Sequence, residues 1–313
     1  MEQAYPYGGY CPKADMVVVL RLGESTMSIG DNRAVVITGA STGIGAACAL
    51  HLDRVRFAVF AGVRKPEDGV ALQKAGSERL VPLELDVTDL ATIRKSCAVV
   101  LDATKERGLF GLINNAGIAV VGPLEAVPIS DLRQQLEVNV IGQVAVIQAF
   151  LPLIRQARGR IVNMGSIAGL STMPLMGPYS ASKFALEAIT DALRLEVQQW
   201  GIHVAIVEPG AIATPIWNKS AIEAAEREAA IETELRTLYK SVVTAVRTVV
   251  GEASKRAIPP DAVVKVVEEA LTAPAPKTRY LVGTDAKFRA LLVRLLPDRI
   301  YDKLLTSILK LPH

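Results

Sequence analysis

Residues 34–45 read Ala-Val-Val-Ile-Thr-Gly-Ala-Ser-Thr-Gly-Ile-Gly, a short apolar run followed at once by three glycines. This pattern predicts a β-strand that turns tightly into a helix. Small residues let the backbone approach a pyrophosphate, and a helix amino terminus offers free N–H groups and a positive dipole end. An ordinary strand-to-helix turn can have the same composition, but its position after the first clear strand favours a nucleotide site. The predicted contacts are Gly39, Ser41, Thr42, Gly43, Ile44 and Gly45.

Composition limits the class of protein. The 313 residues are 50% hydrophobic and 21% charged, which is typical of one large globular domain rather than a disordered chain. The small net charge of +3, without runs of Lys or Arg, predicts no nucleic-acid partner. The few cysteines and histidines lack metal-ligand or disulfide spacing, which predicts no metal site and a reducing, cytoplasmic location. They are Cys11, Cys48, Cys97, His51, His203 and His313.

Apolar runs of strand length recur along the chain after Asp31, separated by segments long enough for crossover helices. This alternation predicts a doubly wound α/β domain, in which helices cover both faces of a seven-stranded parallel sheet. The predicted strands are Ala34–Thr38, Ala58–Gly62, Leu80–Asp86, Gly111–Asn114, Arg160–Asn163, His203–Glu208 and Arg279–Val282. The two longest predicted helices are Leu132–Ile154 and Tyr179–Trp200.

Three segments lie outside this alternation. A helical excursion over residues 217–258 follows the strand that ends at Glu208, at the sheet edge where open α/β folds bind ligands. We expect a substrate lid there, with a surface insertion as the alternative. Residues 286–313 carry apolar side chains at helical spacing, flanked by Lys and Arg; this tail either docks over the pocket or another subunit, or lies on an anionic membrane surface. Residues 1–30 are predicted to be a flexible extension, and residues 31–285 the main domain.

The end of the second predicted strand bears on the choice between NAD and NADP. An acidic residue there would bind the ribose 2′-hydroxyl and repel a 2′-phosphate. The sequence has Val63 at about this position and Arg64 next, whose guanidinium suits a phosphate. This favours NADP(H). NAD(H) remains an alternative, because Glu67 or Asp68 reaches the ribose if the loop bends back.

Ser166, Tyr179 and Lys183 form a chemical constellation. A tyrosine and a lysine at i and i+4 share one face of a helix, so the ammonium can lie close to the phenol. A free phenol has a pKa of about 10, and a neighbouring cation is expected to lower that pKa toward the working range. With the serine hydroxyl holding a substrate oxygen, the three residues predict proton transfer at a carbonyl or alcohol.

Together with Asn114-Asn-Ala-Gly117 and Pro209-Gly210, these motifs resemble those of the short-chain dehydrogenase/reductase family over about residues 31–285. The resemblance implies one Rossmann-type domain containing both cofactor and substrate sites, with hydride transfer at a carbonyl or alcohol centre. It implies that Tyr179 is the acid/base and that Ser166 positions the substrate oxygen. It implies that Lys183 lowers the tyrosine pKa and binds the nicotinamide ribose, and that the backbone of Asn139 helps to hold a proton-relay water.

The resemblance also assigns further cofactor contacts. These are Asp86 and Val87 at the adenine, Asn115, Ala116 and Gly117 beside the adenosine ribose, and Pro209, Gly210, Ile212 and Thr214 at the nicotinamide carboxamide.

The segment between Ser166 and Tyr179 indicates the substrate class. Its apolar side chains predict a lipophilic pocket, with core packing as the alternative; they are Leu170, Met173, Leu175 and Met176. The chain is most similar to the retinol and 17β-hydroxysteroid dehydrogenase-like branch, which implies a retinoid-, steroid- or ketone-like substrate. Family members commonly pair two long helices, which implies a homodimer or homotetramer. The other hypotheses are a non-catalytic NADP(H) sensor or scaffold and a membrane-surface protein.

Overall fold

The computed structural model describes residues 33–311. The predicted extension, residues 1–30, lies outside the described residues, as do Cys11 and His313. Seven parallel strands form one sheet in the order β3-β2-β1-β4-β5-β6-β7, which confirms the predicted fold class. The strands are β1 (Ala34–Ile37), β2 (Ala58–Val63), β3 (Leu80–Glu84), β4 (Gly111–Asn114), β5 (Arg160–Met164), β6 (His203–Pro209) and β7 (Arg279–Val282).

Helices cover both faces of this sheet. They are α1 (Gly43–Arg54), α2 (Pro66–Ala75), α3 (Leu90–Thr104), α4 (Ile129–Leu136), α5 (Gly142–Ala157), α6 (Gly177–Val197), α7 (Ile216–Ala230), α8 (Thr233–Lys255), α9 (Asp261–Thr272), α10 (Thr284–Leu295) and α11 (Asp298–Ile308). Side chains of β1 alternate between two cores, because successive residues of a strand point to opposite faces. Val35 and Ile37 pack in the core that contains α1, α2 and α9, whereas Val36 packs in the core that contains α3 and α5.

The order of the strands places the site. Strand β1 pairs with β2 on one side and with β4 on the other, so the chain reverses its winding direction between them. A crevice opens at the carboxyl ends of the strands at such a switch point, and ligands bind there. The glycine turn after β1 and the loop after β4 meet in this crevice.

The predicted helix Leu132–Ile154 is not α-helical throughout. A π-helical turn, Glu137–Ile141, separates α4 from α5. Apolar periodicity cannot show this turn, because one extra residue in a single turn leaves the flanking apolar faces in place. π-turns recur at functional sites, and this one contains Asn139.

One continuous helical stretch, Ile129–Ala157, is long and apolar enough to cross a membrane by length and composition alone. Half of its most apolar window is buried inside the protein. Phe150 and Ile154 on α5 are fully buried against the sheet. This stretch therefore serves as a core helix of the α/β domain.

Candidate active site

The glycine turn packs against the loop that follows β4. Gly39 has a left-handed φ of 65°, and a Cβ there would lie 2.8 Å from the Cα of Ala116. A Cβ on Gly45 would collide with the carbonyl oxygen of Gly39 and would lie 2.5 Å from Asn115 Nδ2. These contacts require glycine at both positions, since any side chain would force the turn away from the second loop.

Thr38 and Asn115 hold the two loops together. The Thr38 hydroxyl is buried and accepts the backbone N–H groups of Asn115 and Ala116, both at 3.0 Å. Asn115 Nδ2 donates to the carbonyl oxygens of Thr38 and Gly39, both at 3.0 Å. Sequence reasoning gave Thr38 no role. A threonine at the end of a strand of apolar residues was the only signal in the sequence.

The end of β2 presents cations to the crevice. Val63 is buried, whereas Arg64 and Lys65 are exposed and line the same cavity as the glycine turn. Asp68, in the first turn of α2, also lines this cavity. The cavity wall therefore carries two basic side chains and one carboxylate in this region.

The loop after β3 is fixed by Asp86. Its Oδ1 accepts the backbone N–H of Thr88 at 2.9 Å and the Thr88 hydroxyl at 2.7 Å. This turn places Asp86 and Val87 in the cavity wall. A Cβ on Gly142 would lie 2.6 Å from the Val87 carbonyl oxygen, so α5 packs directly behind this loop.

The structure brings Ser166 and Tyr179 together in the same cavity. Ser166 follows β5 and caps a short 3₁₀ turn, where its Oγ accepts the N–H of Ala168 at 3.1 Å. Burial raises the pKa of the Tyr179 phenol, and its hydrogen bond with Ser166 opposes that rise. Desolvation of the phenolate thus outweighs what lowers this pKa, so the structure does not show the expected net lowering, and the contribution of Lys183 stays a prediction.

Lys183 lies one helical turn after Tyr179 and is 4% exposed. Its Nζ donates to the carbonyl oxygen of Met164 at 2.7 Å and lies 5.8 Å from the centre of the Tyr179 ring. Burial lowers the pKa of Lys183 to about 8, and the charge of Glu187 opposes that shift. The lysine is thus held near the Tyr179 ring in a buried site that favours loss of its proton.

Asn139 connects the π-turn to the loop after β4. Its side chain accepts the N–H of Ile118 at 2.9 Å and donates to the carbonyl of Ile118 at 3.0 Å. It also donates to the hydroxyl of Ser182 at 3.1 Å. Gln135 makes a parallel set of bonds, to Val120 N–H at 2.6 Å and Ile118 carbonyl at 3.0 Å. Sequence reasoning missed Gln135 and Ser182, since neither amide nor hydroxyl stands in a motif of its own.

The loop after β6 is anchored to the carboxyl-terminal elements. The N–H of Gly210 donates to the carbonyl of Val282 at 2.9 Å, and the N–H of Ala211 donates to Asp285 Oδ2 at 2.8 Å. The indole of Trp217 donates to the carbonyl of Ile212 at 2.6 Å. Asp285, at the start of α10, was not predicted, because its partner lies 74 residues earlier in the chain.

These elements surround one cavity of about 1510 Å³. Every predicted site residue lines it except Gly45, which packs behind the glycine turn. Met173, Leu175 and Met176 lie in its wall as expected, but Leu170 does not. The other end of the cavity is formed mainly by apolar side chains of α7, α8, α10 and α11 and of the link between α7 and α8. They include Trp217, Ile231, Leu235, Val246, Phe288, Leu292, Leu304 and Ile308.

One ion pair and one hydrogen bond tie the two helices of the predicted lid to the main domain. Arg227 on α7 donates to Asp131 on α4 at 2.7 Å. The hydroxyl of Tyr239 on α8 donates to Glu125 at 2.8 Å. The segment between β6 and α9 therefore covers the crevice through two polar ties to the main domain.

The residues present fit a dinucleotide. Thr42 precedes α1 without capping it through its side chain, so the helix amino terminus faces the cavity with its N–H groups available. Glycines that admit no Cβ form the turn before it, and Arg64 and Lys65 supply positive charge beyond it. Among the described residues, no cluster of His, Cys, Asp and Glu could hold a metal ion.

A family model described as short chain dehydrogenase matches residues 33–225. The chain belongs to the short chain dehydrogenase family. It is accordingly an oxidoreductase, as its named relatives are.

Relatives in the short chain dehydrogenase family cover nearly the whole chain. The NADPH-dependent 3-dehydrocapnine reductase of Ornithobacterium rhinotracheale is 36% identical over 284 residues, which are 89% of this chain and 98% of that protein. Retinol dehydrogenase 5 of Homo sapiens is 38% identical over 294 residues, 90% of each chain. A short chain dehydrogenase from Burkholderia cenocepacia J2315, solved in complex with NADP, is 27% identical with a TM-score of 0.67, covering 91% of this chain and 100% of that chain.

Proposed function

We propose that this short chain dehydrogenase transfers a hydride between NADP(H) and a lipophilic alcohol or carbonyl compound. The observation that supports this proposal most directly is that Ser166, Tyr179 and Lys183 line one cavity. The glycine turn lies on one side of them and an apolar wall on the other. The glycine turn by itself indicates only that a nucleotide binds, and the apolar wall by itself indicates only a lipophilic ligand. The proposed reaction needs both in one cavity.

Each polar side chain has a role in this chemistry. The nicotinamide supplies or accepts the hydride when it is bound. In the reducing direction, Tyr179 gives its proton to the carbonyl oxygen as the carbonyl carbon gains the hydride, and in oxidation it takes that proton back. Ser166 donates a hydrogen bond to the same oxygen and stabilises the charge that develops there. The ammonium of Lys183 stabilises the tyrosinate left after proton transfer.

The preference for NADP(H) rests on the end of β2. Arg64 and Lys65 line the cavity there, and Val63 occupies the place of an acidic residue. A guanidinium binds a phosphate in two parallel hydrogen bonds, whereas a carboxylate would repel it. An NADPH-dependent relative and an NADP-bound relative support the same choice. An NAD(H) enzyme is the alternative, in which Asp68 would contact the ribose.

The proposal of a lipophilic substrate depends on the helices of the predicted lid and of the carboxyl-terminal tail. The inner faces of α7, α8, α10 and α11 supply apolar side chains far beyond what a small hydroxy acid needs to fill the cavity. Retinol dehydrogenase 5, whose name specifies an apolar alcohol, is among the relatives. Retinoids, steroids and long-chain ketones are therefore the compounds to test.

The test is nicotinamide absorbance with NADPH and NADH in turn, against retinoids, steroids, medium-chain ketones and quinones. Tyr179→Phe keeps the aromatic ring and removes the hydroxyl group that would carry the transferred proton, so this variant is the matched control. Turnover confined to the wild type supports the proposal. Tight NADPH binding without turnover of any compound would favour a non-catalytic sensor, and equal turnover by Tyr179→Phe would refute the acid/base role.

We also propose a cytoplasmic protein with peripheral membrane contact through the tail. Three apolar residues of α10 and α11 that do not line the cavity remain exposed: Leu291, Leu295 and Ile300. Lys287, Arg294, Arg299 and Lys303 flank them. Vesicles rich in anionic lipid should float the wild type, and replacing Leu291 and Leu295 with Ser should abolish flotation. Failure to float would leave the tail as a cover of the cavity or a subunit contact.

A homodimer or homotetramer is proposed from the outer faces of the long helices. Phe184 and Leu195 on α6 are exposed, as is Ile141 in the π-turn. Exposed apolar side chains on neighbouring helices are typical of a subunit contact. Sedimentation of the wild type against Phe184→Ser and Leu195→Ser variants tests this proposal.

A further inference from the structure

Two buried carboxyl groups lie behind Lys183 and take no part in the mechanism above. Glu187 follows Lys183 by one turn of α6, and Glu208 lies in β6 directly before Pro209. Glu187 is 7% exposed and Glu208 is fully buried. A buried carboxylate is expensive unless a cation and hydrogen bonds compensate it. The surroundings of this pair must therefore explain how both groups are tolerated.

Arg279 on β7 is the cation that faces the pair. Its Nη2 donates to Glu187 Oε2 at 2.9 Å, and the same guanidinium donates to both oxygens of Asp191, at 3.0 and 2.8 Å. Its Nε lies 3.8 Å from Glu208 Oε1, which is beyond hydrogen-bond distance. Arg194 also donates to Asp191, at 2.5 Å. The guanidinium thus bonds Glu187 and Asp191 and leaves Glu208 without a bond.

Three buried oxygens consequently lack a hydrogen-bond partner among the described residues: Glu187 Oε1 and both oxygens of Glu208. Two carboxylates that face each other cannot bond, because both only accept. A proton on Glu208 turns one of its oxygens into a donor, which Glu187 can accept. Burial and the neighbouring charge of Glu187 raise the pKa of Glu208 above its usual range, in agreement with this arrangement.

The pair is coupled to the active site through Lys183. Glu187 is the group whose charge opposes the effect of burial on the lysine and favours its ammonium form. Glu187 also packs under the 3₁₀ turn that follows Ser166, since a Cβ on Gly169 would lie 3.3 Å from Glu187 Cγ. The charged groups that face the pair from neighbouring elements are Lys183 and Asp191 on α6 and Arg279 on β7.

We propose that Glu187 and Glu208 share one proton, and that this buried pair is a positioning element that keeps Lys183 in its ammonium form. Glu187 holds the negative charge, Glu208 holds the proton, and Arg279 fixes the orientation of Glu187. When pH rises and the shared proton is lost, the added negative charge favours retention of the proton on Lys183. The pair thereby extends the range of pH over which the catalytic lysine stays charged.

The kinetic test compares pH profiles of kcat and KM for the wild type, Glu187→Gln and Glu208→Gln. Glu187→Gln should shift the fall of kcat at high pH to a lower pH by about one unit, because it removes the negative charge that stabilises the ammonium of Lys183. Glu208→Gln should shift that fall to lower pH by a smaller amount, since its amide keeps the bond to Glu187 but cannot gain the negative charge that the wild type gains when the shared proton is lost. Glu196→Gln, an exposed change on the same helix, is the matched control. If the fall of kcat at high pH stays at the wild-type pH in Glu187→Gln, the proposed coupling between Glu187 and Lys183 is wrong.

The second test needs no turnover, so it separates this proposal from the proposed function on which its kinetic arm rests. Between about pH 5 and 8, the folded wild type keeps a proton on Glu208 that the unfolded chain has lost, so its stability falls as pH rises. The Tm of Glu208→Gln minus that of the wild type should therefore increase across this range. A Tm difference that is constant with pH would show that no proton is held there.

Discussion

Gly45→Ala tests whether the contact between the glycine turn and the loop after β4 shapes the dinucleotide site. The added methyl would collide with the carbonyl oxygen of Gly39 and lie 2.5 Å from Asn115 Nδ2. The Gly39 oxygen belongs to the backbone, whereas Asn115 Nδ2 is the end of a side chain. Asn115 Nδ2 donates two hydrogen bonds at 3.0 Å to the turn, so it cannot move without losing at least one of them.

The magnitude follows from these contacts. Overpacking of this kind costs about 1–3 kcal/mol, and a lost hydrogen bond costs about 0.5–1.5 kcal/mol. If the turn stays in place, the sum of about 1.5–4.5 kcal/mol appears as lost stability. If the turn moves into the cavity, the same free energy appears as NADPH affinity weakened by about 10-fold to 2000-fold. The two losses together should amount to at least about 1.5 kcal/mol.

The assay combines NADPH titration by calorimetry with urea unfolding of the free protein. Gly251→Ala is the control, because a Cβ there meets nothing within 4 Å. Gly251 lies inside α8, so alanine should stabilise the protein by about 0.5–1 kcal/mol and leave NADPH affinity unchanged. If Gly45→Ala binds NADPH within threefold of the wild type and unfolds at the same urea concentration, the reasoning from this contact is wrong.

Three further predictions use the same site. Arg64→Asp should reverse the preference from NADPH toward NADH in paired KM measurements, and an unchanged ratio would mean that the phosphate is bound elsewhere. Because burial lowers the pKa of Lys183 to about 8, turnover that needs its ammonium should fall as pH rises through about 8; a plateau to pH 10 would contradict this. Arg227→Met breaks the partly buried tie between α7 and α4, so KM should rise several-fold while Tm changes little. Lys255→Met, which breaks an exposed ion pair on α8, should change neither KM nor Tm. Equal KM values for the Arg227 and Lys255 variants would show that the contact between α7 and α4 does not affect substrate binding.

Much of the site could be predicted because its signals are local. Strand β1 and the glycine turn are contiguous, and the four-residue step from Tyr179 to Lys183 defines a shared helix face. Buried parallel strands read as continuous apolar runs, so their order along the chain was visible. The predicted residues consequently line one cavity almost without exception.

The features of the site that were not predicted depend on contacts between distant parts of the chain. The bond from Ala211 to Asp285 spans 74 residues, and that from Arg279 to Glu187 spans 92. No periodicity in either segment reports such a partner. The net rise of the Tyr179 pKa was not predicted for the same reason, since the nearby cation is visible in the sequence but burial of the phenol is not.

The sequence alone determined the family and the sheet and indicated Ser166, Tyr179 and Lys183 as the proposed catalytic residues, because each depends on short-range spacing and on apolar periodicity. Tertiary structure decided where the helix widens at Asn139, how α7 to α11 enclose an apolar cavity, and which buried carboxyl groups stand behind Lys183. The physical reason is that burial, charge pairing and hydrogen-bond satisfaction are properties of space around an atom. They become fixed only when segments far apart in the chain pack together.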